Sequence, residues 1–429
     1  MGRTAGCRGP GRPRETRLSD RAGASSAHTG RAAGKDGRSV YHARRVPGSV
    51  RLLLALAVVA GAGTIVTLRL LESSSPAATV ACKPVKVLGS WPLAKLADQT
   101  IVVPAEETDV SALAPAARIG YGGAILFGSI APADLGRQLR QLRADLPPQT
   151  GWLVMTDEEG GGIQRMANLV GSMPWASQMG ATMTVAQIRA LARRVGLKMS
   201  ANGVDMDLAP VLDVDGRAVE PGVEDPDGFR SFSGSTKTVE ADGVAFLQGL
   251  MAGHVVPVVK HFPGLGGVSR NTDDGPATTL PWSRLQTTAI PPFVAAIGAG
   301  VPAMMVSNAI VPGLTGDLPA SLSPTAVTRE LFGHLHFRGL IITDSLSAKA
   351  ISDAPLSLTV PKASVEAIAA GDDMVLFNST GTTSGDLALA AGVSHAIVAA
   401  VSSGALARGR LIAAAAKVLS AKQINVCSA

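Results

Sequence analysis

Short apolar runs recur at seven places between residues 123 and 377 and constrain the fold more than any other feature of the sequence. Each run is apolar at consecutive positions, which is typical of parallel strands that are buried on both faces of a sheet. The runs are "GAILF" (123–127), "WLVMT" (152–156), "DMDLAPV" (205–211), "VVPVVK" (255–260), "PAMMVS" (302–307), "GLIIT" (339–343) and "DMVLF" (373–377). This pattern predicts an α/β protein.

Longer Ala- and Leu-rich segments separate the runs and predict helices, for example at 133–146, 185–203 and 324–335. In the last of these, Ser323 is the expected N-cap and Pro324 the expected first helical residue. The alternation of strand and helix continues over roughly 330 residues, which fits a (β/α)8 TIM-type barrel better than an open sheet.

Several of the apolar runs end directly on polar or charged residues: Thr156–Asp157, Lys260–His261, Ser307–Asn308 and Thr343–Asp344. The carboxyl ends of barrel strands form the mouth at which active sites lie. A single residue of this kind is equally compatible with a turn or a helix cap. Four pairs from four strands predict a polar cluster at one mouth.

The candidate functional residues are carboxylates, cations and one histidine. We find no Cys/His set with metal-ligand spacing and no G-x-S-x-G elbow, and "GLGG" at 264–267 lacks the third glycine and the helix of a nucleotide-binding loop. We therefore expect neither a metal nor a cofactor. Carboxylates with Lys, Arg and His donors suit a hydroxyl-rich ligand such as a sugar. The candidates are Asp157, Arg165, Arg230, Lys260, His261, Asp273 and Asp344.

Basic charge is concentrated at the N-terminus. Residues 1–50 hold eleven Lys or Arg residues against three acidic ones, so this part carries +8, and the remainder of the +6 chain carries −2. We interpret 1–51 as a disordered basic cytoplasmic tail, with a basic arm for nucleic acid or anionic lipid as the alternative. The acidic remainder gives no reason to expect nucleic-acid binding.

An uncharged apolar segment, 52–68, follows between Arg51 and Arg69. Its length fits a signal anchor or the core of a signal peptide, and we assign this role to 52–71. The positive charge before it predicts a cytoplasmic N-terminus and an extracytoplasmic remainder, either anchored in the cell envelope or secreted. A lipoprotein box at "TVAC" (79–82) fits poorly, because Thr79 is unusual at that position.

Two cysteines, Cys82 and Cys427, lie near the ends of the exported part. An oxidising compartment would permit a disulfide between them, with two unrelated free thiols as the alternative. We assign 72–91 to a linker and 92–429 to the barrel domain. The sequence does not indicate an oligomeric state.

The sequence resembles glycoside hydrolase family 3, specifically its single-domain β-N-acetylglucosaminidases, from about residue 92 to 425. "TDEEGGGIQRM" (156–166) is similar to the family's D-Q-E-G-G-R-V-Q-R signature, with Glu158 for Gln and Gly162 for Arg. "GYGGAILF" (120–127) looks like the first barrel strand of the family. The other matching segments, in order, are "DMDLAPVLDVD" (205–215), "FRSFS" (229–233), "VKHFPGLG" (259–266), "LPASLSP" (318–324), "GLIITDSLSAKAI" (339–351) and "AIAAGDDMVLF" (367–377).

The resemblance implies a role for each candidate residue. Asp344 matches the nucleophile that forms a glycosyl-enzyme ester. The residues that match the family's sugar-binding positions are Asp157, Arg165, Arg230, Lys260 and His261. Charge-assisted hydrogen bonds from such groups orient sugar hydroxyls.

The proton donor departs from the family pattern. The family's Asp-Ser-His triplet, whose His is the general acid/base, falls here on Asn271, Thr272 and Asp273. Leu265 and Asn308 also stand where His is common. Asp273, or its neighbour Asp274, is our candidate acid/base, because a raised pKa would let a carboxyl group donate a proton. The alternatives are another donor, or a site that binds sugar with little turnover.

We therefore predict an exported retaining exo-glycosidase that removes terminal β-N-acetylglucosamine, with cell-wall (peptidoglycan) fragments as substrates. The alternative is a non-catalytic or weakly active envelope protein that binds sugar on the same barrel, and a β-glucosidase is a more distant one. Aromatic residues suited to stacking on sugars are few, namely Trp91, Trp152, Trp175 and Trp282. This favours a small pocket for one terminal sugar over a long cleft.

Overall fold

The computed structural model describes residues 84–353 and 355–427. The predicted tail (1–51), the apolar segment (52–71) and Cys82 lie outside the described residues. Within the predicted linker, the described part begins with the helix Pro84–Gly89, and Leu88 and Trp91 are buried. Cys427 takes part in a disulfide. Its pairing with Cys82 stays a prediction.

The described part contains nine strands: β1 (Val102–Glu106), β2 (Gly123–Phe127), β3 (Leu153–Thr156), β4 (Glu158–Gly160), β5 (Ile163–Gln164), β6 (Met206–Asp207), β7 (Val256–Phe262), β8 (Ala303–Val306) and β9 (Leu340–Thr343). Seven of them form one parallel sheet in the order β1-β2-β3-β6-β7-β8-β9, whereas β4 and β5 form a separate antiparallel hairpin.

The sheet closes through residues 374 and 375. Met374 bridges to Ile342 in β9, and Val375 bridges to Ile101 beside β1. The Val102 amide donates to the Val375 carbonyl at 3.0 Å. This segment takes the place of the eighth strand, so the predicted (β/α)8 barrel is confirmed.

Helices surround the barrel. The α-helices are Pro84–Gly89, Leu93–Asp98, Ala114–Ile119, Leu135–Arg143, Ala167–Val170, Ala176–Thr182, Val185–Ala201, Thr236–Ala252, Trp282–Thr288, Ile290–Gly298, Lys349–Ser352, Val360–Ala370, Thr383–Ser403 and Arg408–Ala421. Short 3-10 helices cover Glu107–Leu113, Gly228–Arg230 and Ala320–Leu322, and a π-helix covers Thr325–His334. The Ser323 hydroxyl accepts from the Ala326 amide at 3.4 Å, but the N-cap residue of the π-helix is Pro324, so the predicted N-cap lies one residue too early.

Alternate residues of the strands pack into two hydrophobic clusters, as the two-residue period of a strand requires. One set packs against the surrounding helices and belongs to the main core. The other set fills the barrel interior and includes Ile125, Met155, Met305, Ile342 and Leu376. Every strand of the barrel is therefore buried on both faces, which explains the uniformly apolar runs of the sequence.

The first strand of the barrel differs from the prediction. "GYGGAILF" resembled a first strand, but the structure places β1 before it, and GAILF is β2. The missed run, "IVVPA" at 101–105, contains Pro104, and proline within an apolar run argues against a central strand. In the barrel, this residue is nevertheless aligned with Ile125 of β2.

One helix of the described part, Thr383–Ser403, is long and apolar enough to cross a membrane by length and composition, with a mean hydropathy of 1.5. It packs against Leu93–Asp98 and Val360–Ala370. We assign it to the outer helical layer of the barrel.

Candidate active site

A pocket of about 540 Å³ opens at the carboxyl ends of the barrel strands. Its floor is formed by the uppermost side chains of the barrel interior, Ile125, Met305 and Leu376. All seven residues that the sequence singled out line this pocket: Asp157, Arg165, Arg230, Lys260, His261, Asp273 and Asp344. They come from separate parts of the chain, and the closed barrel brings them together.

Ionic contacts join four of the pocket side chains. The Lys260 ammonium lies 2.7 Å from Asp157 Oδ1 and 2.6 Å from Glu159 Oε1. Arg230 donates to both oxygens of Glu159, from Nε at 2.8 Å and from Nη2 at 2.9 Å. Glu159 thus binds two cations, and both of them, Lys260 and Arg230, line the pocket.

Burial and charge shift the pKa values of this network in opposite directions. Burial favours the neutral form of Glu159, but Arg230 and Lys260 outweigh it and hold the pKa of that carboxyl well below its usual range. Burial also opposes the charge of Lys260, whereas Asp157 and Glu159 raise its pKa. The network therefore stays ionised, with its charges compensated inside the protein.

His261 is oriented by a buried carboxylate. Its Nδ1 lies 2.6 Å from Asp213 Oδ2, and its Nε2 lies 3.4 Å from Arg230 Nη2. Asp213 also accepts from the Leu265 amide at 2.7 Å. Asp213 and Arg230 together fix the orientation of the His261 ring in the pocket.

Asp213, Asp227 and His261 each bring one potential ligand atom within 4.8 Å of the others. The sequence predicted no metal site, and two contacts argue against one here. His261 Nδ1 already bonds to Asp213, and the Arg230 guanidinium lies beside the ring. Burial, reinforced by the charge of Asp213, raises the pKa of Asp227 well above its ordinary value, and neither carboxylate oxygen of Asp227 has a hydrogen-bond partner among the described residues.

Asp344 follows β9 directly and is half-buried. Its Oδ1 accepts from the Ser345 amide at 2.7 Å. Asn308, at the end of β8, donates from Nδ2 to the Ser345 carbonyl at 2.6 Å and accepts from the Ser321 hydroxyl at 2.6 Å. The Asn that stands where His is common in the family therefore fixes the backbone next to the candidate nucleophile.

Asp273 lies on the loop after β7 and is exposed to the open pocket. The surrounding protein displaces part of its solvent, and the carboxylates Asp344 and Asp274 add to this effect, so that its pKa is raised to about 6. Arg230 and His261 act in the opposite direction. Asp273 and Asp344 thus interact electrostatically across the pocket, as an acid and its partner carboxylate do.

Arg165 enters the pocket from the hairpin that carries β4 and β5. Its Nε is buried and has no hydrogen-bond partner among the described residues. Because Lys260 and Arg230 are already paired, Arg165 is available for a ligand oxygen. Leu265, which stands in place of a family His, is buried and lines the same pocket.

Sequence analysis missed three residues of the site: Glu159, Asp213 and Asp227. A signal existed for Glu159, since it stands two positions after Asp157 and side chains two apart in extended chain point to the same side. No signal in a single sequence distinguishes Asp213 and Asp227 from the other acids of the stretch 205–227. Their role depends on tertiary contacts.

A family model described as the N-terminal domain of glycosyl hydrolase family 3 matches residues 117–421, which is more than half of the chain. This chain belongs to glycosyl hydrolase family 3. Its fold and the order of its motifs agree with that membership.

The chain is also similar to individual members of the family. It is 38% identical over 237 residues to beta-hexosaminidase LpqI of Mycobacterium tuberculosis, a match that covers 53% of this chain and 58% of the relative. An uncharacterized secreted glycosyl hydrolase of Arthroderma benhamiae is 32% identical over 295 residues, covering 66% of this chain and 80% of the relative. The sequence match thus spans little more than half of the length of LpqI.

The solved structure of M. tuberculosis LpqI superimposes with a TM-score of 0.70 at 31% identity and covers 80% of this chain and 97% of that chain. The barrel is therefore shared over nearly the whole of the solved relative.

Proposed function

We propose that this protein is an exported retaining exo-glycosidase that removes terminal β-linked N-acetylglucosamine, with cell-wall fragments as its substrates. The observation that supports it best is the placement of Asp344 and Asp273 in one pocket with the five candidate sugar-binding residues. The name beta-hexosaminidase carried by the mycobacterial relative supports the choice of sugar.

In the first half-reaction, the Asp344 carboxylate attacks the anomeric carbon while Asp273 gives its proton to the glycosidic oxygen. The bond between that carbon and that oxygen breaks, an ester to Asp344 forms, and the aglycone leaves as a neutral alcohol. In the second half-reaction, the Asp273 carboxylate takes a proton from water. The resulting nucleophile attacks the anomeric carbon and releases Asp344, so two inversions give net retention.

The electrostatics of the pocket suit this division of roles. A general acid works best when its pKa lies near the working pH, and the pKa of Asp273 is raised to about 6. Ionised Asp344 is one cause of that shift. When Asp344 becomes an ester, its negative charge disappears, so Asp273 loses its proton more readily and can act as the base of the second step.

The remaining side chains are assigned to the sugar. Lys260 and Asp157 form one hydrogen-bonding edge, and His261, which Asp213 orients, lies beside them in the pocket. Arg165, whose Nε has no hydrogen-bond partner among the described residues, supplies a cationic donor. Lys260, Asp157 and His261 are fixed by buried contacts before a ligand binds, so these three need little ordering on binding.

Export is a separate part of the proposal. Positive charge before the apolar segment 52–68 supports translocation of the barrel, and the word secreted in the name of the fungal relative is consistent with it. Fusion of residues 1–91 to alkaline phosphatase, an enzyme that needs disulfides formed outside the cytoplasm, tests this. We expect phosphatase activity with the intact leader and none after deletion of 52–68, and equal activity of the two fusions would contradict export.

The reaction itself is tested on the full-length chain with 4-nitrophenyl β-N-acetylglucosaminide, by following the anomer that forms first by proton NMR. We expect the β-anomer of free N-acetylglucosamine before mutarotation. Formation of the α-anomer would contradict a retaining mechanism. Binding of N-acetylglucosamine without release of nitrophenol would favour the sugar-binding alternative instead.

A further inference from the structure

We infer that a loop at the barrel mouth, residues 216–228, holds the proton donor over the nucleophile, and that Arg217 is a positioning residue for Asp273. The inference rests on the proposed role of Asp273. We call 216–228 the brace loop and 270–274 the donor loop.

The donor loop is attached to the brace loop through one backbone hydrogen bond. The Asn271 amide donates to the Val223 carbonyl at 2.7 Å. The side chain of Asn271 then accepts from the Asp273 amide at 3.0 Å, and its carbonyl accepts from the Asp274 amide at 3.1 Å. Any displacement of Val223 is therefore transmitted through Asn271 to the donor.

The opposite side of the donor loop is attached to the chain that follows the nucleophile. The Ala350 amide donates to the Thr272 carbonyl at 2.9 Å. Ala350 lies in the helix Lys349–Ser352, a few residues after Asp344. The donor is thus tied to the nucleophile on one side and to the brace loop on the other.

Arg217 closes the brace loop. Its Nε lies 2.6 Å from Asp225 Oδ2, and its Nη2 lies 3.1 Å from Asp215 Oδ2. Asp225 in turn accepts from the Gly228 amide at 3.0 Å and from the Gly222 amide, through its carbonyl, at 2.7 Å. These contacts fix both ends of the segment that presents the Val223 carbonyl.

The closed conformation of the brace loop requires a glycine at its last position, Gly228. Gly228 has a φ of +45°, and a Cβ there would overlap the Val219 carbonyl oxygen. The same carbonyl accepts from the Phe229 amide at 2.9 Å. The sequence therefore provides the conformational freedom that a closed loop needs at this point.

The brace loop is also a wall of the pocket. Pro221, Gly222 and Pro226 line it, whereas Arg217 does not and its side chain is 45% exposed. Arg217 therefore does not face a ligand in the pocket, and we assign its effect on the reaction to the loop it closes. In this arrangement, Asp273 lines the pocket together with Asp344.

The test compares the full-length Arg217→Ala variant with Arg217→Lys and with Arg118→Ala. Arg118 is a matched control, because it forms a surface ion pair with Asp145 at 3.5 Å far from the pocket lining. Each protein is assayed on a 2,4-dinitrophenyl β-N-acetylglucosaminide, whose leaving group departs without a proton, and on a methyl β-N-acetylglucosaminide, which needs one. Amide hydrogen exchange at Asn271 is measured in parallel.

We expect Arg217→Ala to lower kcat/KM for the methyl glycoside roughly 10- to 100-fold, because misplacement of a general acid by about 1 Å has effects of this size. The dinitrophenyl substrate should change little, and Asn271 exchange should accelerate. Arg217→Lys, which keeps the charge, should recover part of the loss. Arg118→Ala should leave all three readouts unchanged.

Two results would overturn the inference: equal losses for both substrates, or unchanged Asn271 protection in Arg217→Ala. The Asp273→Asn variant separates this from failure of the proposed function. If Asp273→Asn selectively slows hydrolysis of the methyl glycoside and Arg217→Ala does not, the positioning role of Arg217 is wrong but the assignment of Asp273 as proton donor is kept. If Asp273→Asn shows no such selectivity, the donor assignment itself is wrong.

Discussion

The two ends of the barrel both hold buried charges, but they use them differently. At the carboxyl end, Lys260 and Arg230 pair with the carboxylates Asp157 and Glu159 and face a pocket. At the amino end, cations bind mainly backbone carbonyl groups at the starts of strands. Lys422 donates to the Thr150 and Gly151 carbonyls at 2.9 and 3.2 Å.

Arg410 shows the pattern of the amino end in detail. It donates to the carbonyls of Ile368 and Gly371, each at 2.9 Å, and to Asp373 Oδ1 at 2.8 Å. Asp373 in turn accepts from the Ile341 amide at 3.1 Å, at the start of β9. The protein itself thus satisfies Arg410 and Asp373, whereas both carboxylate oxygens of the neighbouring buried Asp372 have no hydrogen-bond partner among the described residues.

The comparison separates stability from function. Charges of the amino end hold strand ends together, as expected for the face of a TIM barrel opposite the active site. Charges of the carboxyl end are held by one another and leave Arg165, Asp273 and Asp344 facing the pocket. Substitutions at the carboxyl end should therefore lower activity, whereas substitutions at the amino end should lower the free energy of unfolding.

The largest effect should come from Asp344→Asn. An amide cannot form the glycosyl ester, so we expect kcat to fall by roughly 10⁴-fold or more on any leaving group, with the melting temperature nearly unchanged. Steady-state kinetics and thermal unfolding check this. Activity within 10-fold of the original chain would place the nucleophile elsewhere.

Replacement of the donor, Asp273→Asn, should lower kcat/KM by about 10²- to 10⁴-fold for the methyl glycoside and much less for the dinitrophenyl glycoside. Because the acid must be protonated and its pKa is about 6, kcat/KM of the unmodified chain on the methyl glycoside should fall as pH rises above that value. The variant should no longer show this fall of kcat/KM at alkaline pH. A fall that persists in Asp273→Asn would be caused by the titration of another group.

At the amino end, Arg410→Ala should cost about 3 kcal/mol of unfolding free energy, because it leaves Asp373 buried without its cation. We expect kcat/KM to stay within about 2-fold, since both residues lie at the barrel end opposite the pocket. Arg230→Ala, its counterpart at the carboxyl end, should instead abolish most activity. Equal losses of activity in the two variants would break the comparison between the two ends.

Expressed as a free energy, the smallest effect expected is that of Asn308→Ala. The loss of its bond to the Ser345 carbonyl should loosen the backbone beside Asp344 and slow formation of the glycosyl enzyme on the order of 10-fold. Stopped-flow release of dinitrophenol measures this step. Asn168→Ala is the control, because Asn168 also bonds backbone groups of another segment, at Ala131. A similar slowing in both variants would argue against a role in positioning.

Much of the fold could be predicted from the sequence, because parallel barrel strands are buried on both faces and therefore consist of consecutive apolar residues. GAILF (123–127) matches β2 at both ends, and GLIIT (339–343) begins one residue before β9 and ends with it. The run at 101–105 was missed because of Pro104, and 374–375 pairs through isolated bridges rather than as a long strand. Such elements depend on the closed barrel more than on local sequence.

The candidate site was predictable where a residue directly follows a strand, as Asp157 and Asp344 do. The partners that orient these groups were not, because Asp213 and Arg217 act through contacts with residues distant in sequence. The same holds for the pKa of Asp273, which is raised first by burial and then by Asp344, 71 positions away in the chain. Composition and spacing carry no information about such distances.

The most direct test of the central claim, that Asp344 and Asp273 are nucleophile and acid/base, is intact-mass spectrometry of full-length Asp273→Asn. The variant is mixed with the dinitrophenyl β-N-acetylglucosaminide, which can glycosylate the enzyme without a proton donor. Without its base, the variant should accumulate an adduct of one N-acetylglucosamine, mapped to Asp344 by peptide sequencing and released by azide. Steady release of dinitrophenol with no adduct, or an adduct on another residue, would contradict the account.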